Sequence, residues 1–292
     1  MINVERIKEL AKIIREMKYE PIKFDNPELF PEPDHFIYPN YVFFMVSIDH
    51  RTGFDVEWKY RGSDLLFYLA RRKQMEVRDF FTAKKLIGID ANQIREIFNF
   101  RGLVIRDPEE RAFLLRDCAE KLLKIYDGDV MYLLKSGKFH SDIICEKMKI
   151  FKAYSDPLRK KSYLFLKILK RRNFGIIGKI GFPVDNVLVK VALNSGIVEP
   201  DKRSLEKILK GEVLTDEEVF RLREEVKVAL DLLSEETGIE ADVIDDILWT
   251  YGRKRKEDTI LDERVEKSAL KKFLNFITMR KFEPKFPYSW FF

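Results

Sequence analysis

A mainly α-helical fold, with one short β element near the N-terminus and room for two lobes, is what this sequence predicts, on three grounds. Apolar residues recur at helical spacing through most of the chain. Helix-start signals of the Asp-Pro and Thr-x-x-Glu kinds stand ahead of several of these stretches, and glycines follow several of them. No internal repeat, flexible linker or low-complexity segment interrupts the 292 residues. They read as a single unit with an N-terminal helix and Pro-rich connection (1–40), a core (41–258), and a C-terminal helix with an aromatic tail (259–292).

Taken in order, Val4, Ile7, Leu10, Ile13, Ile14 and Met17 place an amphipathic helix over 3–18. Charges interrupt these residues, so the continuous apolar stretch of a signal peptide is missing and a cytoplasmic protein is expected. Pro21, Pro27, Pro31 and Pro33 then mark an irregular connection. The run from Tyr41 to Ile48 is the best strand candidate, a buried helix being the other reading of so short an apolar run. Helices are expected over 63–73 and 91–99, with Gly88-Ile-Asp90 turning the chain into the second.

Asp107-Pro108-Glu109-Glu110 combines an N-cap, a proline in the first turn and a capping-box acid, predicting a helix that runs to Asp127-Gly128. Asp156-Pro157 repeats the signal for a helix reaching about Arg172. Asp185 precedes an apolar helix closed by Asn194-Ser195-Gly196. Thr215-Asp-Glu-Glu218 caps a long helix that stops before Gly238, and two more helices are expected over 240–256 and 262–280. The tail, with Phe282, Phe286, Tyr288, Trp290, Phe291 and Phe292, is expected to pack back on the body or on a partner.

Composition removes several classes. With 46% hydrophobic residues, 24 Phe, 11 Tyr and 3 Trp, the chain is neither disordered nor a disulfide scaffold. Its longest apolar runs, Tyr41–Ile48 and the Val187–Leu193 run that contains Lys190, are too short to cross a bilayer, so no membrane partner is expected. Cys118 and Cys145 have no second Cys or His at a metal-ligand offset, so no metal and no cofactor are expected. A formal net charge of +5 is mildly basic, and the abundance of Lys, Glu and Ile suits a thermophile.

The charge is concentrated. Arg159 to Arg172, RKKSYLFLKILKRR, carries seven basic residues and no acid. Its apolar residues supply a buried face, which leaves the basic ones for solvent or a polyanion. Gly175, Gly178 and Gly181 follow at three-residue spacing, without the Gly-Lys-Ser/Thr ending of a phosphate-binding loop. Pro183-Val184-Asp185 then opens the next helix.

Pro-Val-Asp at the mouth of an apolar helix resembles the catalytic-aspartate segment of the helix-hairpin-helix DNA glycosylase superfamily. The resemblance implies a DNA-glycosylase-like helical fold. It also implies that the Asp185 carboxylate offsets positive charge on the sugar as the base departs. Asp156-Pro-Leu-Arg-Lys-Lys-Ser-Tyr-Leu-Phe165 is similar to the lysine-bearing helix of archaeal 8-oxoguanine glycosylases. There Lys161 would correspond to the amine that attacks C1′ and forms a Schiff base, with Phe165 one turn on; a phosphate-contacting lysine is the other reading.

A longer resemblance, from about Tyr41 to Asp258, is to the queuosine salvage glycosidases. It is carried by Tyr60-Arg-Gly62, the Glu110-Arg111 helix, Leu122 to Gly128, the spacing of Lys161, Phe165 and Lys167, Asp185, Leu209 to Thr215, and Val243 to Tyr251. Val46-Ser-Ile-Asp-His50 and Asn186-Val187 depart from that family where it reads its nucleobase. Ser47 to Thr52 is instead similar to the polar start of a helix that DNA glycosylases place beside an extruded base. Asp49, His50 and Arg51 thereby become candidates to contact a base or phosphate. Trp249 is a candidate for stacking on the base, beside Asp245 and Asp246, which are read as solvent-facing acids. The implied activity is an N-glycosidase acting on a damaged base in duplex DNA, with strand scission if Lys161 attacks. The alternatives are release of a modified base from a nucleoside 5′-monophosphate and a non-catalytic nucleic-acid-binding module.

Overall fold

The computed structural model describes residues 1–253 and 265–291, and the chain is mainly helical. Its described residues divide into two compact units. One comprises Met1–Ile22 with Gly181–Ser289, the other Lys23–Ile180 with the last residues from Trp290. The first element, α1 (Val4–Met17), is capped by the Asn3 side chain, which accepts from the Arg6 amide, and buries Ile7, Leu10, Ala11, Ile14 and Met17.

The second unit is built from α2 (Ile37–Ser47), α3 (Ser63–Glu76), α4 (Ala83–Leu86), α5 (Ala91–Ile97), α6 (Pro108–Tyr126), α7 (Val130–Ser136), α8 (Ser141–Met148) and α9 (Lys160–Arg171). A two-stranded antiparallel ribbon, Asn99–Phe100 against Leu103–Val104, is the described β structure. It lies after α5, so the β element expected at Tyr41–Ile48 is corrected: that segment belongs to α2, which packs on α6, α7 and α9. The physical reason is burial on every side. Tyr38 and Tyr41 through Ser47 are all fully inaccessible, and a helix with no solvent face carries no apolar periodicity to read. Asp34 starts it, its Oδ1 accepting from the amides of Phe36 and Ile37 at 2.8 Å each.

Two start signals act differently from expectation. Pro108 opens α6, but Asp107 is left-handed (φ 53°) and its side chain makes no cap, while Glu110 is used elsewhere. Asp156 holds the turn ahead of α9, accepting from the amides of Leu158 and Lys160, so the helix begins at Lys160. Asp90 caps α5 in a reciprocal box with Gln93. The short helices α4 and α7 were not foreseen, and α8 holds Cys145, on a segment that looks helical in the sequence.

The remaining helices are α10 (Asn186–Ser195), α11 (Lys202–Lys210), α12 (Asp216–Thr237), α13 (Ala241–Arg253) and α14 (Lys267–Ile277). With α1 they form the first unit: α1 packs on α12 and α14, and α10 packs on α12, α13 and α14. Thr215 and Glu218 make the expected capping box, and left-handed Gly196 and Gly238 end α10 and α12. α11 was not foreseen. The expected helical residues 254–256 and 262–264, and the boundary at 258–259, lie outside the described residues. The tail returns along this unit, with the Phe282 amide donating to Asn194 Oδ1 at 2.7 Å and the Leu214 amide to the Lys285 carbonyl at 2.9 Å.

The α10–α13 contact is close because residue 252 has no side chain. A Cβ at Gly252 would meet Val191 Cγ2 at 2.4 Å and Val187 Cγ1 at 3.0 Å. Gly252→Ala should therefore destabilise. Overpacking of about 2–3 kcal/mol, less about 1 kcal/mol of helix propensity gained, leaves roughly 1–2 kcal/mol lost in a denaturant titration. An unchanged midpoint would contradict this packing.

Candidate active site

The C-terminal end of α2 is where buried charge gathers. The Ser47 carbonyl, the last of α2, and those of the turn that follows, Ile48 to His50, belong to buried residues out of reach of water. Cationic side chains take them in succession. Lys161 Nζ donates to the Ser47 carbonyl at 2.6 Å, Arg111 donates to that of Ile48, Lys160 Nζ to that of Asp49 at 3.1 Å, and Arg111 again to that of His50 at 2.5 Å. Arg111 Nε also holds the Arg106 carbonyl at 2.7 Å. The negative end of the α2 dipole reinforces each contact.

This corrects the reading of the basic run. Lys160, Lys161 and Lys167 are buried rather than turned to solvent, and Arg159 pairs with Asp142 and Glu146 of α8. The first turn of α9 faces acceptors that lie more than a hundred residues away in sequence, which periodicity within α9 cannot reveal. Lys170, Arg171 and Arg172 remain half-buried, with the Arg172 guanidinium 5.8 Å from the centre of the Tyr38 ring.

Around Lys161 the geometry is specific. Its Nζ lies 3.1 Å from His50 Nδ1, and His50 Nε2 lies 3.0 Å from Glu110 Oε1. A carboxylate accepts only, so Nε2 carries the imidazole proton and Nδ1 is left to accept from Lys161. Nζ then spends one N–H on Ser47 and one on His50. Burial, together with Lys160 and Arg111, holds the Lys161 amine well below the usual lysine range. The same burial, with the Arg111 and Lys160 charges nearby, holds the His50 imidazole well below its usual value. The arrangement can present an uncharged, oriented amine, which is what a nucleophilic lysine needs.

Both shifts make stability rise with pH. In each case the unfolded chain binds a proton that the folded chain declines, so stability falls as pH drops from about 10.5 for Lys161 and from about 6.5 for His50 towards their lower folded values. Lys161→Met should flatten the upper part of this dependence in denaturant titrations between pH 7 and 10. A slope equal to that of the wild type would mean that Lys161 is charged in the fold.

The other candidate residues are placed as follows. Asp49 is buried, its Oδ1 accepting from Ser63 Oγ at 2.6 Å. Arg51 is half-buried with φ 39°. Ser47 to Thr52 therefore lies at the end of a helix, not at the start expected for it. Phe165 is fully buried among Phe43 and Tyr154, with ring centres 5.9 and 6.3 Å away, and so fills the core. Lys167 Nζ is 5.8 Å from the Phe24 ring centre.

Asp185 and Trp249 belong to the other unit. Asp185 caps α10, its Oδ1 accepting from the Leu188 amide at 3.0 Å. The loop before it is tied by Arg223 Nε, which donates to the Val184 carbonyl at 3.0 Å. Trp249 is half-buried beneath the Arg253 guanidinium, 3.6 Å from its ring centre. Asp245 and Asp246, read as solvent-facing, are buried, and Asp246 accepts from the Ile22 amide. The structure thus gathers Lys161, His50 and Asp49 and adds Ser47, Glu110, Arg111 and Lys160. Sequence reasoning did not name these four as site residues, although Ser47 opens the polar segment, Lys160 stands beside Lys161 in the basic run and the Glu110-Arg111 helix carries part of a family resemblance.

Both cysteines are free and buried, with the Cys145 thiol pushed up to about 12 by burial. Among the described residues no cluster of His, Cys, Asp and Glu could hold a metal, and no helix is long and apolar enough to cross a membrane.

The sequence matches no protein-family model and no curated protein. The fold is similar to that of the 8-oxoguanine DNA glycosylase from Pyrobaculum aerophilum, solved with 8-oxoguanosine bound, at a TM-score of 0.55 and 13% identity over 97% of this chain and 98% of that one. The chain therefore has a glycosylase-like helical fold. The likeness lends nothing to the queuosine-salvage resemblance.

Proposed function

We propose that this protein is an N-glycosidase that releases a damaged base from duplex DNA, with Lys161 as nucleophile and Asp185 as the carboxylate that offsets charge on the sugar. The observation that carries the reading is the buried Lys161 amine, held by Ser47 and His50 in a setting that favours its uncharged form. The likeness of the whole chain to a DNA glycosylase fold supports the choice of chemistry by analogy.

In this reading Lys161 Nζ forms a bond to C1′ while the bond from C1′ to the base breaks and the base leaves with the electron pair. Loss of a proton from nitrogen and opening of the sugar ring give a Schiff base, from which β-elimination cuts the strand. The Asp185 carboxylate stabilises the oxocarbenium-like sugar as the base departs.

The test is mass-spectrometric detection of free base from oxidatively damaged duplex DNA and, in parallel, from a modified nucleoside 5′-monophosphate. Asp185→Asn keeps an N-cap of equal strength, so the fold should be unchanged. Base release from DNA should fall about 10²–10³-fold. Release from the nucleotide alone would favour the salvage-type alternative. If neither substrate yields free base while damaged duplex is still bound, the reading is wrong and the protein is a binding module.

A further inference from the structure

We infer that His50 is a positioning residue for Lys161 that takes a proton from the attacking Nζ, with Glu110 on its far side stabilising the imidazolium that results. This rests on the reading of Lys161 as a nucleophile. The cations at the end of α2 have a sufficient structural purpose in the carbonyls of Ser47, Ile48, Asp49 and His50. The two contacts that join Lys161 Nζ to His50 Nδ1 and His50 Nε2 to Glu110 Oε1, at 3.1 and 3.0 Å, serve none of those carbonyls. Capping α2 gives no reason for a buried imidazole or for a carboxylate behind it. The His50 side chain has no exposed surface and that of Glu110 is 17% exposed, so the relay is enclosed at the lysine and reaches solvent at the carboxylate.

The groups facing His50 define its task. Lys161 and Lys160 approach from α9, Arg111 and Glu110 from α6, and Arg51 and Asp49 adjoin it in the chain. The cations and burial keep the resting imidazole neutral, so Nδ1 is open to accept a proton. When Nζ bonds to C1′ it becomes a secondary ammonium, and the C1′–base bond breaks with its electron pair going to the base, which takes a proton from solvent. One proton then moves from Nζ to Nδ1. The nitrogen lone pair it frees expels the ring oxygen to form the iminium, and the proton held on His50 is the one the ring oxygen requires as the sugar opens. Through that step the imidazolium is paired with the Glu110 carboxylate.

Single-turnover borohydride trapping on duplex DNA bearing oxidised bases, followed across pH, tests the inference. His50→Gln, whose amide can orient Lys161 but cannot take a proton, should slow trapping by about 10²-fold near pH 7. The deficit should shrink as pH rises and be relieved in part by added imidazole. Glu110→Gln should slow trapping less, and Glu110→Asp should restore most of the rate. A structural role alone would change stability and leave the pH profile in place. Equal trapping by wild type and His50→Gln at every pH would overturn the relay and leave the glycosidase reading standing. No trapped adduct with wild type would overturn the nucleophile reading beneath it. Should His50→Gln not fold, nitrogen-15 NMR of the wild-type imidazoles decides, since the chain has only 3 His. The Nε2–H tautomer is expected for His50, and the Nδ1–H tautomer would overturn the relay.

Discussion

Lys161→Gln is expected to abolish the borohydride-trapped adduct and strand scission, and to lower base release by at least about 10⁴-fold, since loss of a nucleophile removes most of a covalent catalyst's rate. Glutamine keeps a donor for the Ser47 carbonyl and nearly the length of the lysine stem, so the packing of α9 on α2 should survive. Binding of damaged duplex should change little, because in this reading Lys161 acts by forming the bond to C1′ and not by holding a phosphate. Weakened binding with base release intact would show that Lys161 is a phosphate ligand. Kinetics and affinity measured on the same variant separate the two.

Arg111→Leu carries the largest expected effect on stability. Arg111 is fully buried and holds the carbonyls of Ile48, His50 and Arg106. Its loss strands the buried His50 carbonyl and leaves that of Ile48 with the His50 amide alone, at about 1–3 kcal/mol for an unsatisfied group before relaxation. The net cost should be about 3–5 kcal/mol, or roughly 10 °C in melting temperature for a chain of this size. The variant should also disturb the amine, since the Arg111 charge is among the causes that hold Lys161 low. Arg111→Lys keeps the charge but not the fork and should recover only part of the loss. A melting temperature unchanged in Arg111→Leu would mean that the end of α2 is satisfied by other means.

What the sequence made legible follows the same physics. Caps act over three or four residues, so Asp185 with α10 and Thr215 with α12 could be read locally and were found as expected. α2 could not be, since a helix buried all round has the composition of a strand and no period. The basic run misled for a related reason. Charge in a sequence suggests solvent, but Lys160 and Lys161 are held inside by carbonyls from Ser47 and Asp49, contacts that only the tertiary fold creates. His50 and Lys161 were singled out separately by resemblance, yet nothing in either segment announces that they touch. Glu110, read as a capping acid, turned out to support an imidazole sixty residues upstream.

The central claim is that the amine of Lys161 bonds to the sugar. Its most direct test is to trap the reaction on oxidised duplex DNA with borohydride, digest the product and locate the sugar adduct by mass spectrometry. The account predicts one adduct, on Lys161, absent from Lys161→Gln. An adduct on Lys160, on Lys167 or on the N-terminal amine, or base release with no adduct at all, would contradict it.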